Sequence, residues 1–197
     1  SDEPLPILFE DEHLLGIDKP AGVPVHPTAR YYRSTVVKLL EAVRPGEVQR
    51  LAHRLDRDTS GVLLLSKTSE ADKHVKRQFA NIDPWTGKPA KARTVEKVYL
   101  AVSHGHPSEE RFTIPLPLEE DVGNSLRVKM RVAKEGTGLT ATTHCELRGR
   151  YVDATTGRPF SLIACALETG RQHQIRVHLA ALRLPIVGDK LYGADDR

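Results

Sequence analysis

At 197 residues, the chain is long enough for one domain with a sizeable core, and its 39% hydrophobic and 28% charged residues are those of a soluble globular protein. No run of about 18 apolar residues occurs, which excludes a membrane-spanning helix. The net charge of +3 is a mild hint of an anionic partner and separates nothing by itself.

The acidic start SDEPLPILFEDE lacks a basic-then-apolar signal peptide, so a cytoplasmic location is expected. Ile7–Glu10 and His13–Ile17 read as two strands around a hairpin-like turn. Lys19 to Pro24, with two prolines and a glycine, reads as an ordered loop. Ser34 is the expected N-cap of a helix that presents Val36, Val37, Leu39, Leu40 and Val43 until Arg44-Pro45-Gly46 stops it. Gly61–Ser66 is a short apolar run, read as a strand buried on both faces. A helix follows from Thr68-Ser69 to about Ala80, and Ile82–Thr94 reads as a loop. Val95–Ser103, Ser125–Val132, Thr140–Leu147 and Phe160–Leu167 alternate as strands do, and Gln172–Leu182 reads as a helix with Ile175, Leu179 and Leu182 on one side. Strands dominate without regular βα alternation, so the fold class is α+β with a mixed or antiparallel sheet.

Several features have plain readings. Cys145 and Cys165 form no CxxC pair and read as reduced thiols in strands. His173 and His178, and His104 and His106, lack zinc-site spacing, so no metal site is expected. Gly136-Thr137-Gly138 lacks the GK[ST] of a phosphate loop and reads as a hairpin turn. Trp85 lies between basic residues in a Pro/Gly loop; it either stacks on nucleic acid or packs its loop down. Residues 50–100 are rich in Lys and Arg, which fits either a phosphate-tracking groove or a solvated face.

The densest chemistry is His53-Arg54-Leu55-Asp56-Arg57-Asp58-Thr59-Ser60-Gly61, directly before an apolar strand. Such polar density at a core edge is costly unless the groups satisfy one another. An active-site loop on a rigid strand and a surface turn with ordinary Arg–Asp pairs both account for it.

This segment matches the HRLDxxTSG signature and resembles that of RluA-type pseudouridine synthases. Four further segments are similar to that family's, in its order: Asp18–His26 to its KPxG loop, Lys97–Ala101 to KxYxA, Thr169–His178 to TGRxHQIRxH, and Pro185–Gly193 to PIxGDxxYG. The resemblance implies a pseudouridine synthase fold: a mixed, mostly antiparallel sheet with flanking helices and a central RNA-binding cleft. It implies one catalytic domain over residues 1–197, monomeric, with no N-terminal S4-type RNA-binding domain and a tail shorter than that of relatives. The implied partner is structured RNA, ribosomal or transfer, and the implied reaction moves uracil from its C1′–N bond to a C1′–C5 bond without metal or organic cofactor.

By the same resemblance, Asp56 is the catalytic carboxylate. Arg176 is the guanidinium facing it, and Tyr99 stacks on the target base. Arg54 fills the stack that the flipped base vacates. His53, Arg57, Thr59, Ile175, Arg171 and His173 complete the RNA- and base-contacting set, with His53 also read as organising its loop's backbone and Asp58 as an ion-pair or turn residue. Arg183-Leu184 stands where relatives carry Gly-His or Gly-Phe, which raises a question about the helix exit. Two other functions compete: an RNA-binding module without catalysis, and a hydrolase using Asp56 and Asp58 as a carboxylate pair.

Overall fold

In the computed structural model, β1 (Ile7–Glu10) and β2 (Leu14–Lys19) form an antiparallel hairpin. Its turn is closed by the Asp11 carboxylate, which accepts the N–H groups of His13 and Leu14 at 2.8 and 2.6 Å. Helix α1 (Val36–Val43), β3 (Arg50–Leu51), β4 (Gly61–Ser66) and α2 (Ser69–Phe79) follow. The structure describes residues 5–27, 31–83, 85–91, 95–123 and 129–193. The chain divides into two compact units, Ser1–Val95 and Glu96–Arg197.

In the first unit the sheet order is β1-β2-β4-β3, antiparallel throughout. Leu15, Ile17, Leu63, Leu65, Val36 and Leu40 are buried in it. Two expectations need correction. The N-cap of α1 is Thr35, not Ser34: its backbone is extended and its hydroxyl faces the Lys38 N–H at 3.4 Å. Strand β4 is central in the hydrogen-bond order but not buried on both faces. Leu63 and Leu65 are fully enclosed, while Val62, pointing the other way, is 62% exposed.

The second unit contains β5 (Val98–His104), β6 (Arg111–Ile114), β7 (Leu118–Glu120), β8 (Met130–Val132), β9 (Thr143–Val152), β10 (Pro159–Leu167) and α3 (Gln174–Ala181). Four strands form a sheet ordered β5-β10-β9-β6, and β7 pairs with β8 in a ribbon. Every strand pairing described is antiparallel, consistent with the α+β class. Of the strand expected at Ser125–Val132, Met130–Val132 is observed and 125–128 lie outside the described residues. Strands β3, β6 and β7 were not anticipated; at two to four residues they are too short to display a period. Cys145 and Cys165 sit opposite one another across β9 and β10, both buried and free.

The helix exit questioned by Arg183-Leu184 is intact. Arg183 takes φ +60°, its N–H donates to Ala180 O at 3.0 Å, and the Leu184 N–H reaches back to Leu179 O at 2.9 Å. This is a Schellman stop, completed by contact of buried Leu184 with the cluster that holds Leu179. A non-glycine residue at this position carries a left-handed penalty. Arg183→Gly should therefore raise stability by about 0.5–1 kcal/mol, read as a higher denaturant midpoint.

One buried polar network ties α3 to β9. Gln174 donates to Thr142 O and Thr143 Oγ1, both at 3.0 Å. His178, fully buried, lies 2.9 Å from Thr143 Oγ1 through Nδ1 and 2.8 Å from Leu116 O through Nε2. A carbonyl only accepts, so Nε2 carries the proton and Nδ1 accepts from the threonine hydroxyl. Burial lowers the His178 pKa, against the opposing hydrogen bond to Leu116. The unfolded chain then binds the proton first as pH falls. This contribution to stability is whole above about pH 6.5 and declines below it. The fall in unfolding free energy between pH 7 and 5 should be shallower in His178→Gln than in the wild type.

Candidate active-site residues

The signature loop is held from below. Leu55 is buried, half-buried Asp56 accepts the Thr59 N–H at its backbone carbonyl (3.2 Å), and Gly61, at φ +117°, leads into β4. That φ lies in a range other residues avoid, which accounts for the glycine that ends the signature.

The anchor is Lys19, at the end of β2 and completely buried. Its ammonium donates to Pro20 O and Val23 O, both at 2.9 Å, and to Arg57 O at 3.0 Å. The Gly22 N–H also reaches Arg57 O, at 2.8 Å. The loop after β2 and the signature loop are thus stitched together. Burial pushes the Lys19 pKa down to about 8, opposed by the negative charges of Asp58 and Asp56. Near pH 7 the amine stays mostly protonated, supplying three donors to the two loops.

His53 and Arg57 organise the same loop. His53 Nε2 accepts the Leu64 N–H at 3.1 Å, and its ring stacks on Phe79 at 4.7 Å. Arg57 grips Asp58 through two bonds of 2.9 and 2.8 Å and donates to the Tyr31 hydroxyl at 2.9 Å. Arg54 is exposed and Thr59 half-buried.

The second unit carries Tyr99, Arg171, His173, Ile175 and Arg176. Tyr99 and Ile175 are partly buried against one core cluster, built on Ala101, Ile163 and Leu179. Arg171 donates through Nε to Thr140 O at 3.1 Å. His173 caps α3 in a left-handed conformation, φ +55°, with Nδ1 2.8 Å from the Tyr192 hydroxyl. Arg176 forms a two-pronged pair with Asp189, Nε to Oδ2 at 2.7 Å and Nη2 to Oδ1 at 2.9 Å. Its guanidinium lies over the Tyr192 ring, 5.0 Å from the centroid. Burial acts to raise the Asp189 pKa, but the Arg176 bonds and the N–H groups of Leu191 and Tyr192 outweigh it and lower the pKa. Among the described residues, no group of three or more His, Cys, Asp or Glu is placed to hold a metal ion.

Residues 13–181 match the profile of the family described as RNA pseudouridylate synthase. The chain belongs to that family. A relative from Zymomonas mobilis, named ribosomal large subunit pseudouridine synthase D, is 38% identical over 98% of this chain and 57% of its own length. An uncharacterized RNA pseudouridine synthase of Bacillus subtilis, YlyB, is 35% identical over 96% of this chain and 58% of its own. The chain therefore spans little more than half of these relatives. The solved structure of human RNA pseudouridylate synthase domain containing 1 superposes with a TM-score of 0.81 at 29% identity, covering 99% of this chain and 72% of that one.

Two supports of these loops carry no distinguishing mark in the sequence. Lys19 and Asp189 lie inside the KPxG-like and PIxGDxxYG-like segments, where nothing local tells a buried side chain from an exposed one. The only signal was an ionisable residue in a segment otherwise dominated by Pro, Gly and apolar residues. Lys19→Met should leave Pro20 O and Val23 O without the lysine donor and Arg57 O with the Gly22 N–H, and cost about 2–4 kcal/mol. Amide exchange should then accelerate at Gly22 and around Arg57 before it does so in β4.

Proposed function

We propose that this chain isomerises uridine in RNA to pseudouridine, with Asp56 as the catalytic carboxylate. The observation that carries the reading is the family match over residues 13–181, which encloses the HRLD aspartate on the turn into β4. Relatives named for the large ribosomal subunit favour ribosomal RNA as the substrate class.

Each role that the resemblance implies has a chemical rationale. Detaching uracil from ribose C1′ needs a nucleophile or charge stabilisation at an oxocarbenium-like centre, and an ionised carboxylate supplies either. The Lys19 ammonium interacts electrostatically with Asp56, whose charge opposes the fall of the lysine's own pKa. Tyr99 offers a ring face to the flipped base and a hydroxyl for proton handling. Arg176 supplies the guanidinium, oriented by Asp189. Exposed Arg54 suits insertion into the stack vacated by a flipped base. Arg57, Thr59, Ile175, Arg171 and His173 complete the proposed RNA-facing set, and His53 supports the loop. The hydrolase alternative loses ground because Asp58 is engaged by both prongs of Arg57.

Asp56→Asn should lower the rate of tritium release from 5-tritiated uridine in an unmodified ribosomal RNA transcript by at least about a thousandfold. Thermal midpoint and RNA retention on filters should stay near wild type. Turnover at the wild-type rate by Asp56→Asn would refute the assignment. Wild-type binding of RNA without any tritium release would favour the non-catalytic module.

A further inference from the structure

The chain between α2 and β5 takes no part in the chemistry above. Helix α2 ends in a Schellman stop: Asn81 has φ +57° and donates to Gln78 O at 2.9 Å, and Ile82 N–H donates to Arg77 O at 2.8 Å. The chain then folds back on itself. Asp83 N–H donates to Lys88 O at 2.8 Å, Gly87 N–H to Asp83 O at 2.9 Å, and Ala90 N–H to Asn81 O at 3.0 Å, while Ile82 bridges Pro89. The Asp83 carboxylate accepts the N–H groups of Trp85 and Thr86 at 2.9 and 2.7 Å. The turn is thus ordered by its own backbone and one carboxylate.

Trp85 does not pack this turn down. Its side chain is 84% exposed and touches α2 only edge-on in the described ring contacts, at His74, 5.0 Å between centroids. An indole offers the largest apolar area of any side chain, and leaving it in water forgoes that gain. The sequence around it is cationic. Between positions 70 and 91 stand Lys73, Lys76, Arg77, Lys88 and Lys91 against Glu70, Asp72 and Asp83. Asp72 is paired with Lys76, and Asp83 is turned onto the Trp85 and Thr86 backbone. The neighbouring exposed residues are Thr86, Gly87, Lys88 and Pro89, and none adds a second large apolar side chain of the kind found at the centre of a protein interface. A lone ring among cations suits a nucleobase with its phosphates.

The location fits such a ligand. Phe79, the last residue of α2, stacks on His53 of the signature loop with rings 13° from parallel. The hairpin therefore starts two residues beyond a side chain in contact with the loop that carries Asp56. RNA engaged at that loop has flanking nucleotides close to the hairpin.

We propose that the turn bearing Trp85 is an RNA-contacting element on which the indole stacks an unpaired base, with Lys73, Lys88 and Lys91, near it in the sequence, attracting the adjacent phosphates. The inference rests on the RNA-modifying reading for the nature of its polyanion, but not on catalysis.

Trp85 is the single tryptophan, so its fluorescence reports this one site. The probes are a single-stranded 12-nucleotide RNA of mixed sequence, its perfect duplex, and an unmodified ribosomal RNA transcript. The single strand should quench the indole and the duplex should not. Trp85→Ala should weaken single-strand binding by about 5- to 100-fold, and Trp85→Phe should restore most of it. A thermal midpoint unchanged in Trp85→Ala would show that the loss is not unfolding. Filter-measured RNA binding without quenching, or equal affinity in Trp85→Ala, would overturn the proposal and leave the indole to a protein partner. Quenching with no tritium release by the wild type would defeat the synthase reading alone. Normal tritium release without quenching would defeat only the role of Trp85.

Discussion

The buried ammonium of Lys19 is the interaction on which the proposed catalytic loop depends. Three carbonyls from two separated stretches, Pro20 and Val23 on one side and Arg57 on the other, point at one charged donor. Neither stretch contains enough regular structure to hold its own backbone. A neutral side chain of the same length would fill the space and leave the carbonyls unanswered, a worse outcome than never having buried them. The same ammonium lies in the electrostatic field of Asp56 and Asp58.

The second unit solves a similar problem with the signs reversed. Its buried anchor is a carboxylate, Asp189, which binds Arg176 with two bonds and also accepts N–H groups from Leu191 and Tyr192. A guanidinium held by a two-pronged pair has lost most of its rotamer freedom before any substrate arrives. Tyr192 adds a ring beneath Arg176, while its hydroxyl meets both His173 and the Met130 N–H. The segment from Pro185 to Gly193 therefore acts as a cradle for the side chains of α3. Gly193 fits this closely packed turn because a Cβ there would collide with Asp189 O.

Several motif residues prove to be scaffold rather than surface. Gln174 and His178 share one buried network through Thr143, and their alternation with Ile175 and Val177 reflects a helix enclosed on more than one side. That enclosure is why the expected apolar stripe of Ile175, Leu179 and Leu182 describes α3 poorly. Leu179 is fully buried, but Leu182 is 44% exposed, and Val177 and two polar side chains take the remaining buried positions.

The sequence by itself determined the signature, the order of its companion segments, the longer strands and helices, and the α+β class. These are properties of local pattern, spacing and turn chemistry, which survive without knowledge of neighbours. Only the tertiary structure decided which polar residues are buried and what they touch. Lys19, Asp189, Gln174 and His178 are indistinguishable in the sequence from residues that face water, because burial is set by distant chain. It also decided that Val62 is open, that Thr35 rather than Ser34 caps α1, and that Trp85 stands outward. Each depends on which backbone N–H or apolar surface happens to lie within a few ångströms, a fact that no window of sequence contains.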